Sequence, residues 1–594
     1  MPQLTYSVRV ERPTEHRAQF TLEVAGTVGS SFEIVFPSWV PGSYLIQDPV
    51  QRVRDVRASV LAREKPLVVE RIDKARWRVH TTGSDPVEVQ YTVYGHQMIT
   101  EALDVTDRHL FLNAALCLPY VDGRKDEPAD LIVHVPGEWK VFTELEEVGH
   151  HPPRFRARGY DELVDSPVDC GQPVELRLTA SGIPHRVLLC GEGGNFEPHR
   201  LEEDLRKIAE TTIRLFGESP VRHYTFFYHL NDQSDGGLEH RNSFSAVVPR
   251  QCFKPESAYR WFLSLTAHEY FHLYNVKRIR PKVLGPFDYT RENYTRLLWA
   301  MEGTTDYFAY LILRRAQLVT PAKTLESLAT RIQRYLQVPG RAVNDLETLS
   351  FQSWVDLYKI HEDTVNHSVS YYLKGELVSF ALDLEIRHRT ENRVSLDDVW
   401  RTLWKEYGAQ DRGLEEGEIL SVAEKVSGLS LGPFFDRYIR GTDELDFGKV
   451  SRYAGLEFGP KPKPREVGDD DPAGYLGIEF ENRNGLVRLT RVLDGGPARR
   501  AGLSPGDELV AINRNRVLFA DFPKVLEKFP AGSNLELSVF RRGWLETISA
   551  STGVAPPESY RFTPVAQPTP LEKAIYESWL EATWEPPKPS PPAA

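Results

Sequence analysis

The sequence predicts a multidomain α+β protein: a β-rich N-terminal domain, a mainly helical second domain and a small strand-rich C-terminal unit. Three observations carry this reading. The chain has 594 residues, 41% of them hydrophobic, enough for several ordinary globular cores. Apolar and polar residues alternate through its first third, whereas helical spacing dominates its middle. A run rich in proline, glycine and charge, GPKPKPREVGDDDPAG at 459–474, then separates a last compact segment from the rest.

In residues 1–180, TYSVRVE, AQFTLEVAG and VEVQYTVYG each read as half-buried strands, because a period of two sends alternate side chains to opposite faces of a sheet. Turn signals such as VPGS and TGSDP separate strands of this kind. The pattern changes at PHRLEEDLRKIAETTIRLFG, a helix expected to stop at Gly217, and VRHYTFFYHL then reads as a strand. Helical segments follow: SLTAHEYFHLYN, RLLWAMEGTTDYFAYLILRRAQ, YYLKGELVSFALDLEIRHRT and LDDVWRTLWKEYG. We expect this second domain to span 181–456 and a linker to occupy 457–473. The C-terminal unit, 474–555, carries YLGIEF, LVRLTRVL and LELSVFRRG as strands, with PARRAGL and DFPKVLEKF as short helices. The tail, 556–594, is expected to be disordered apart from a helix at LEKAIYESWLEA.

The formal net charge of -12 argues against sequence-wide attraction to nucleic acid or an anionic membrane, and neither is expected as a partner. No apolar run approaches the ~20 residues of a membrane-spanning helix. The start, MPQLTYSVRVE, lacks a basic segment followed by an apolar one, so no signal peptide and a cytoplasmic location are expected. Cys117, Cys170, Cys190 and Cys252 are widely spaced without a C-x-x-C pair. They read as free buried thiols, not a disulfide framework or a cysteine zinc site.

The chemistry concentrates in HEYFH. On a helix, His268 and His272 stand one turn apart on one face with Glu269 beside them, which can place two imidazoles on a zinc ion and a carboxylate near its water. The alternative is a solvent-facing histidine pair. Phe262, Leu263, Leu265 and Phe271 weaken it, because histidines on a packed helix need partners. A catalytic zinc usually takes a third protein ligand and leaves one position open. In WAMEGTTDYF, Glu302 can supply that ligand and Asp306, four residues on, can orient a ligand histidine. A surface carboxylate is the alternative for Glu302, set against its neighbours Trp299, Met301 and Phe308. In GGLEHRNS, Gly236 and Gly237 allow close backbone approach beside Glu239, although a plain turn would look the same. In SYYLKGELVSF, a tyrosine hydroxyl could stabilise an oxyanion or simply pack in a core.

Together, HEYFHLYNVKRIRP, WAMEGTTDYF, GGLEHRNS, SYYLKGELVSFALDLEIR, FFDRYIRG and the N-terminal FPSWVPGSYLIQD resemble the glycyl aminopeptidase family of zinc metallopeptidases. The resemblance implies a thermolysin-like catalytic domain of the glutamate-ligand type and a C-terminal PDZ domain. It implies one zinc ion per chain on His268, His272 and Glu302, with Glu269 as general base. By the same resemblance Tyr372 is the oxyanion donor and Glu239, in its glycine-rich segment, holds the substrate's free amino group. Tyr475, Leu476, Gly477 and Ile478 resemble the PDZ loop that receives a peptide carboxylate, so a peptide or protein C-terminus is a candidate partner there. The expectation is an aminopeptidase acting on peptides, with glycine or another small first residue. Its rivals are an endopeptidase with the same zinc site and a catalytically silent peptide-binding adaptor.

Overall fold

The structure is a computed structural model and describes residues 3–26, 29–61, 63–81, 83–461 and 474–586. It divides into two compact units. The first comprises 1–295 with 308–319 and 400–419; the second comprises 296–307, 320–399 and 420–594.

The first unit begins with the β-rich domain. Its largest sheet has eight strands, with Leu4–Arg9 and Arg17–Val24 near the centre. The predicted alternation is the packing pattern. Ala18, Phe20, Leu22 and Val24 face Val93, Tyr91, Val89 and Val87 across one antiparallel ladder, and all eight are buried. Two four-stranded sheets share the same apolar core. One of them contains His109–Leu112 and Val168–Gly171.

A five-stranded sheet follows, ordered Val174–Ala180, Ile183–Cys190, Tyr224–Leu230, Ser243–Val248, Gly236–Glu239. Its three middle strands are parallel. Parallel neighbours need a long crossover, which the helix Pro198–Phe216 provides. The Glu197 carboxylate caps the start of that helix, and Gly217 ends it at φ 88°. The strand Val174–Ala180 lies within residues 1–180 but pairs antiparallel with Ile183–Cys190, so the β-rich domain ends near Gly171. Alternation signals a strand without naming its partner. All seven residues of Tyr224–Leu230 are buried, since the helix Glu256–Phe271 covers this sheet. The Tyr228 hydroxyl lies 2.8 Å from Thr266 Oγ1, and His185 Nε2 lies 2.8 Å from the Tyr270 hydroxyl.

The second unit is helical around Tyr371–Arg389, a 19-residue helix with fourteen buried residues. Toward its end lies a six-stranded sheet with two short helices, Pro497–Ala501 and Phe522–Glu527, around an apolar core of its own. Two expectations are corrected here. Leu456–Pro460, at the expected linker, is a strand, and it pairs with Tyr560–Pro564 of the expected disordered tail. Residues 462–473 of that linker lie outside the described residues. The expected tail helix is present as Pro570–Leu580, closed by a capping box between Thr569 and Glu572. Its Trp579 is buried, donates 2.9 Å to the Tyr307 hydroxyl, and packs on Phe380 of the long helix. Short strands bounded by prolines carry too little periodicity to stand out from a disordered tail. Among the described residues no helix is long and apolar enough to cross a membrane.

Since Trp579 is a full aromatic plug, Trp579→Ala is expected to lower the unfolding free energy by ~3–5 kcal/mol. Denaturant titration checks this; an unchanged midpoint would mean that the tail helix contributes nothing to the fold.

Candidate metal and peptide site

The helix Glu256–Phe271 ends one residue before His272, which keeps right-handed helical dihedrals as its C-cap. The one-turn spacing therefore holds: the His272 amide donates 3.2 Å to the His268 carbonyl, and the two Nε2 atoms face each other at 2.9 Å. His272 Nδ1 lies 2.9 Å from the Asn275 carbonyl. With its proton on Nδ1, the ring donates to that carbonyl and turns the Nε2 lone pair toward His268. Trp400 Nε1 donates 3.2 Å to the Asn275 side chain and holds this support in place.

Glu239 closes the edge strand Gly236–Glu239 of the same sheet, paired with Ser243–Val248. One ligand atom each from Glu239, Glu269 and His272 lies within 4.8 Å of the others, and all three residues are buried. Gly237 makes this possible. A Cβ there would fall on the Glu269 carboxylate, so the strand can run this close to the helix only without a side chain. On the far side Gly42, at φ +98°, comes so close that a Cβ would stand 3.0 Å from both Glu239 carboxylate oxygens. The segment FPSWVPGSYLIQD thereby closes over Glu239.

Asp165 fixes the end of this strand. It receives the Lys277 ammonium at 2.7 Å and the Arg241 amide at 2.9 Å, with His240 Nδ1 at 3.4 Å. Burial would raise its carboxyl, but Lys277 and His240 hold it well below the usual range. Arg278 donates to the Arg241 and Leu273 carbonyls at 2.9 and 2.8 Å. Lys277 and Arg278 thus tie the segment after the histidines to the segment after Glu239. Asp165 was missed in the sequence, where DELVDSP carries no chemical pattern. Glu239, Asp165, Lys277 and Arg278 also line a cleft of about 890 Å³.

In the second unit Glu302 sits in a π-helical turn, Trp299–Gly303, that runs into the helix Thr304–Arg315. The expected continuous α-helix through Glu302 and Asp306 is thus corrected. A π-turn carries an extra residue, so spacing by four no longer sets one face, and such turns recur at functional sites. Glu302 is buried and Asp306 half-buried. A Cβ on Gly303 would lie 2.5 Å from the Gly375 Cα, so these glycines seat the Glu302 turn against the helix that begins at Tyr371. Tyr371 is buried and Tyr372 half-buried, their rings stacked at 4.9 Å. Lys374 points inward, donating to the Arg341 and Asn344 carbonyls at 3.1 and 3.0 Å, and burial pushes its pKa down to about 8.

Among the described residues of the first unit, the donor sets that could hold a metal are Glu239 with Glu269 and His272 and, elsewhere, His109 with Asp169, Cys190 and His229. Imidazole and carboxylate donors suit zinc.

In the C-terminal unit, Ile478–Arg483 is an edge strand of its sheet. It follows the Tyr475–Ile478 loop, in which Gly477 has φ +72° and the Leu476 carbonyl accepts from the Ala498 amide at 2.8 Å.

A helix-borne H-E-x-x-H against a mixed sheet, with a buried glutamate beside it, can set a metal next to a carboxylate base. The family models are specific: residues 261–378 match the M61 glycyl aminopeptidase domain, 5–172 the M61 N-terminal domain and 474–552 a PDZ domain. The chain thus carries an M61-type N-terminal domain, an M61 glycyl aminopeptidase domain and a C-terminal PDZ domain. A solved aminopeptidase N family protein from Idiomarina loihiensis aligns with TM-score 0.89 at 28% identity, over 97% of this chain and 100% of that one. A probable periplasmic serine endoprotease DegP-like from Pseudomonas savastanoi is 31% identical over 123 residues, 20% of this chain and 23% of that protein. A second, from Pseudomonas fulva, is 26% identical over 151 residues, 22% of this chain and 32% of that protein. The chain thus spans less than a third of the length of these two curated relatives.

Because a Cβ on Gly237 would displace the buried Glu269 carboxylate, Gly237→Ala should lower both kcat and the melting temperature. Glu269→Gln should retain bound metal and lose ~10²–10⁴-fold in kcat. Metal analysis beside turnover checks both; near-normal turnover of Glu269→Gln would remove it from the chemistry.

Proposed function

We propose that the protein is a zinc aminopeptidase that removes the first residue, glycine or another small one, from peptides. The observation that carries this reading is the grouping of Glu239, Glu269 and His272 within 4.8 Å, with the Gly42 segment closing over Glu239. A cleft lined by a buried carboxylate suits a substrate's α-ammonium, which would otherwise lose its hydration without a counter-charge. The M61 glycyl aminopeptidase match supports the small first residue.

By the family resemblance, His268, His272 and Glu302 would hold the zinc and Asp306 would orient a ligand histidine. Zinc supplies Lewis acidity, lowering the pKa of a water and polarising the scissile carbonyl. Glu239 binds the substrate ammonium and sets the first peptide bond in place. Glu269 takes the proton of the attacking water and delivers it to the leaving amine. The Tyr372 hydroxyl donates to the carbonyl oxygen as negative charge develops there. Gly236 and Gly237 leave the strand bare beside the first substrate residue. In the PDZ domain, a peptide would add to the edge strand Ile478–Arg483, its carboxylate meeting the backbone amides of Tyr475–Ile478.

The same peptide offered with a free and an acetylated N-terminus tests the reading. Only the free form should be cleaved, and only at its first bond. Glu239→Ala should lower kcat/KM by ~2–5 kcal/mol and narrow the difference between the two forms. Internal cleavage of the acetylated peptide at an equal rate would make the enzyme an endopeptidase; no hydrolysis at all would favour the adaptor. Separately, Tyr372→Phe should cost ~10²–10³-fold in kcat with little change in KM, and Tyr371→Phe far less. The reverse order would exchange their roles.

A further inference from the structure

A second constellation lies in the first unit, where the β-rich domain meets the five-stranded sheet. His109 and Asp169 belong to one antiparallel ladder, in which Phe111 opposes Asp169 and His109 opposes Gly171. They are therefore diagonal neighbours. Cys190 and His229 oppose each other directly in the parallel ladder of the other sheet. Four side chains from four strands converge on one point. The Asp169 Oδ2 atom lies 2.7 Å from His229 Nε2, 3.0 Å from His109 Nε2 and 3.3 Å from Cys190 Sγ. One ligand atom from each of the four lies within 4.8 Å of all the others.

The surroundings are dry. Asp169 is 0%, His229 1% and Cys190 4% exposed. Cys190 packs with Phe142, Leu188 and Phe227, and the Phe111 ring stands 4.4 Å from the His229 ring. A carboxylate taken this far from water needs a positive charge beside it. Among the described residues the ion-pair partners of Asp169 are the two imidazoles, with no lysine or arginine. Its Oδ1 atom and His229 Nδ1 have no hydrogen-bond partner. Behind His109, an Asp104 carboxylate oxygen stands 4.0 Å from Nδ1, the position from which an acid supports a ligating imidazole.

We propose that His109, Asp169, Cys190 and His229 form a second metal site, closed by four protein ligands, that takes a zinc-class divalent ion and joins the β-rich domain to the catalytic sheet. Two imidazole nitrogens, one carboxylate oxygen and one thiolate are a tetrahedral zinc donor set. With four protein ligands no position is left for water, which marks a structural centre. Binding displaces two protons to solvent, that of the Cys190 thiol and the Nε2 proton of the His109 imidazolium, while the single ring proton of His229 moves to Nδ1, so that both Nε2 atoms face the ion. The site is independent of the H-E-x-x-H chemistry. It bears on that chemistry through the sheet: the His229 strand adjoins Ser243–Val248, which pairs with the Glu239 strand.

Cobalt separates the two sites, because only this one contains a thiolate. The full-length protein, stripped of metal and titrated with Co²⁺, should bind two ions per chain and develop a thiolate-to-cobalt charge-transfer band. His268→Ala should keep the band and bind one ion, whose addition raises the melting temperature. His268→Ala combined with Cys190→Ser should lose both the band and the shift. If the double variant fails to fold, the His268→Ala spectrum alone decides. A titration of His268→Ala that yields no thiolate band, or a band that survives Cys190→Ser, would overturn the proposal and leave a hydrogen-bonded quartet.

Discussion

The organisation of the catalytic half depends on bringing two buried carboxylates and an imidazole within 4.8 Å of one another. Two negative charges at that distance repel by about 3 kcal/mol at an effective dielectric of 20. A fold tolerates such an arrangement where cations offset it, and the proposed reaction would bring two: a metal and the substrate ammonium. The constraint is geometric as well as electrostatic. The carboxylates arrive from different elements, a helix and an edge strand, and the strand reaches the helix only because Gly237 has no side chain.

Much of the surrounding structure holds that approach in place. The five-stranded sheet sets the strand's height over the helix, and Tyr228 and His185 bond the sheet to Thr266 and Tyr270. Asp165, from the β-rich domain, gathers Lys277, His240 and the Arg241 amide, so the chain after each functional residue is tied to one carboxylate. The N-terminal domain also contributes Gly42 over Glu239. In the second unit a second glycine contact, Gly303 on Gly375, relates the Glu302 turn to the tyrosine-bearing helix. Both halves thus use missing side chains to seat a reactive one.

The parts of this architecture that were legible in the sequence are those with local signals. Alternation marked the strands, Gly217 marked a helix stop, and H-E-x-x-H and the paired glycines marked segments that the fold brings together. What was illegible depends on tertiary partners. Val174–Ala180 reads as any strand, and its membership in the catalytic sheet rests on Ile183–Cys190. Tyr560–Pro564 gains order only from Leu456–Pro460. The π-turn at Glu302 leaves no compositional trace, since one extra residue in a helical turn changes no residue type. His109, Asp169, Cys190 and His229 are spread over four strands with no recurring interval, so widely spaced cysteines read as inert thiols until the two sheets meet.

The division of labour between the two carboxylates is the centre of the account, and its most direct measurement is a crystal structure of the zinc-loaded Glu269→Gln protein with an uncleaved glycyl peptide bound. The account predicts the peptide's α-ammonium on the Glu239 carboxylate at charge-assisted hydrogen-bond distance, ~2.7–2.9 Å. The residue-269 amide should then lie beside the first scissile carbonyl. A peptide whose chain continues past Glu239, or whose ammonium rests on another group with Glu239 turned away, would contradict it.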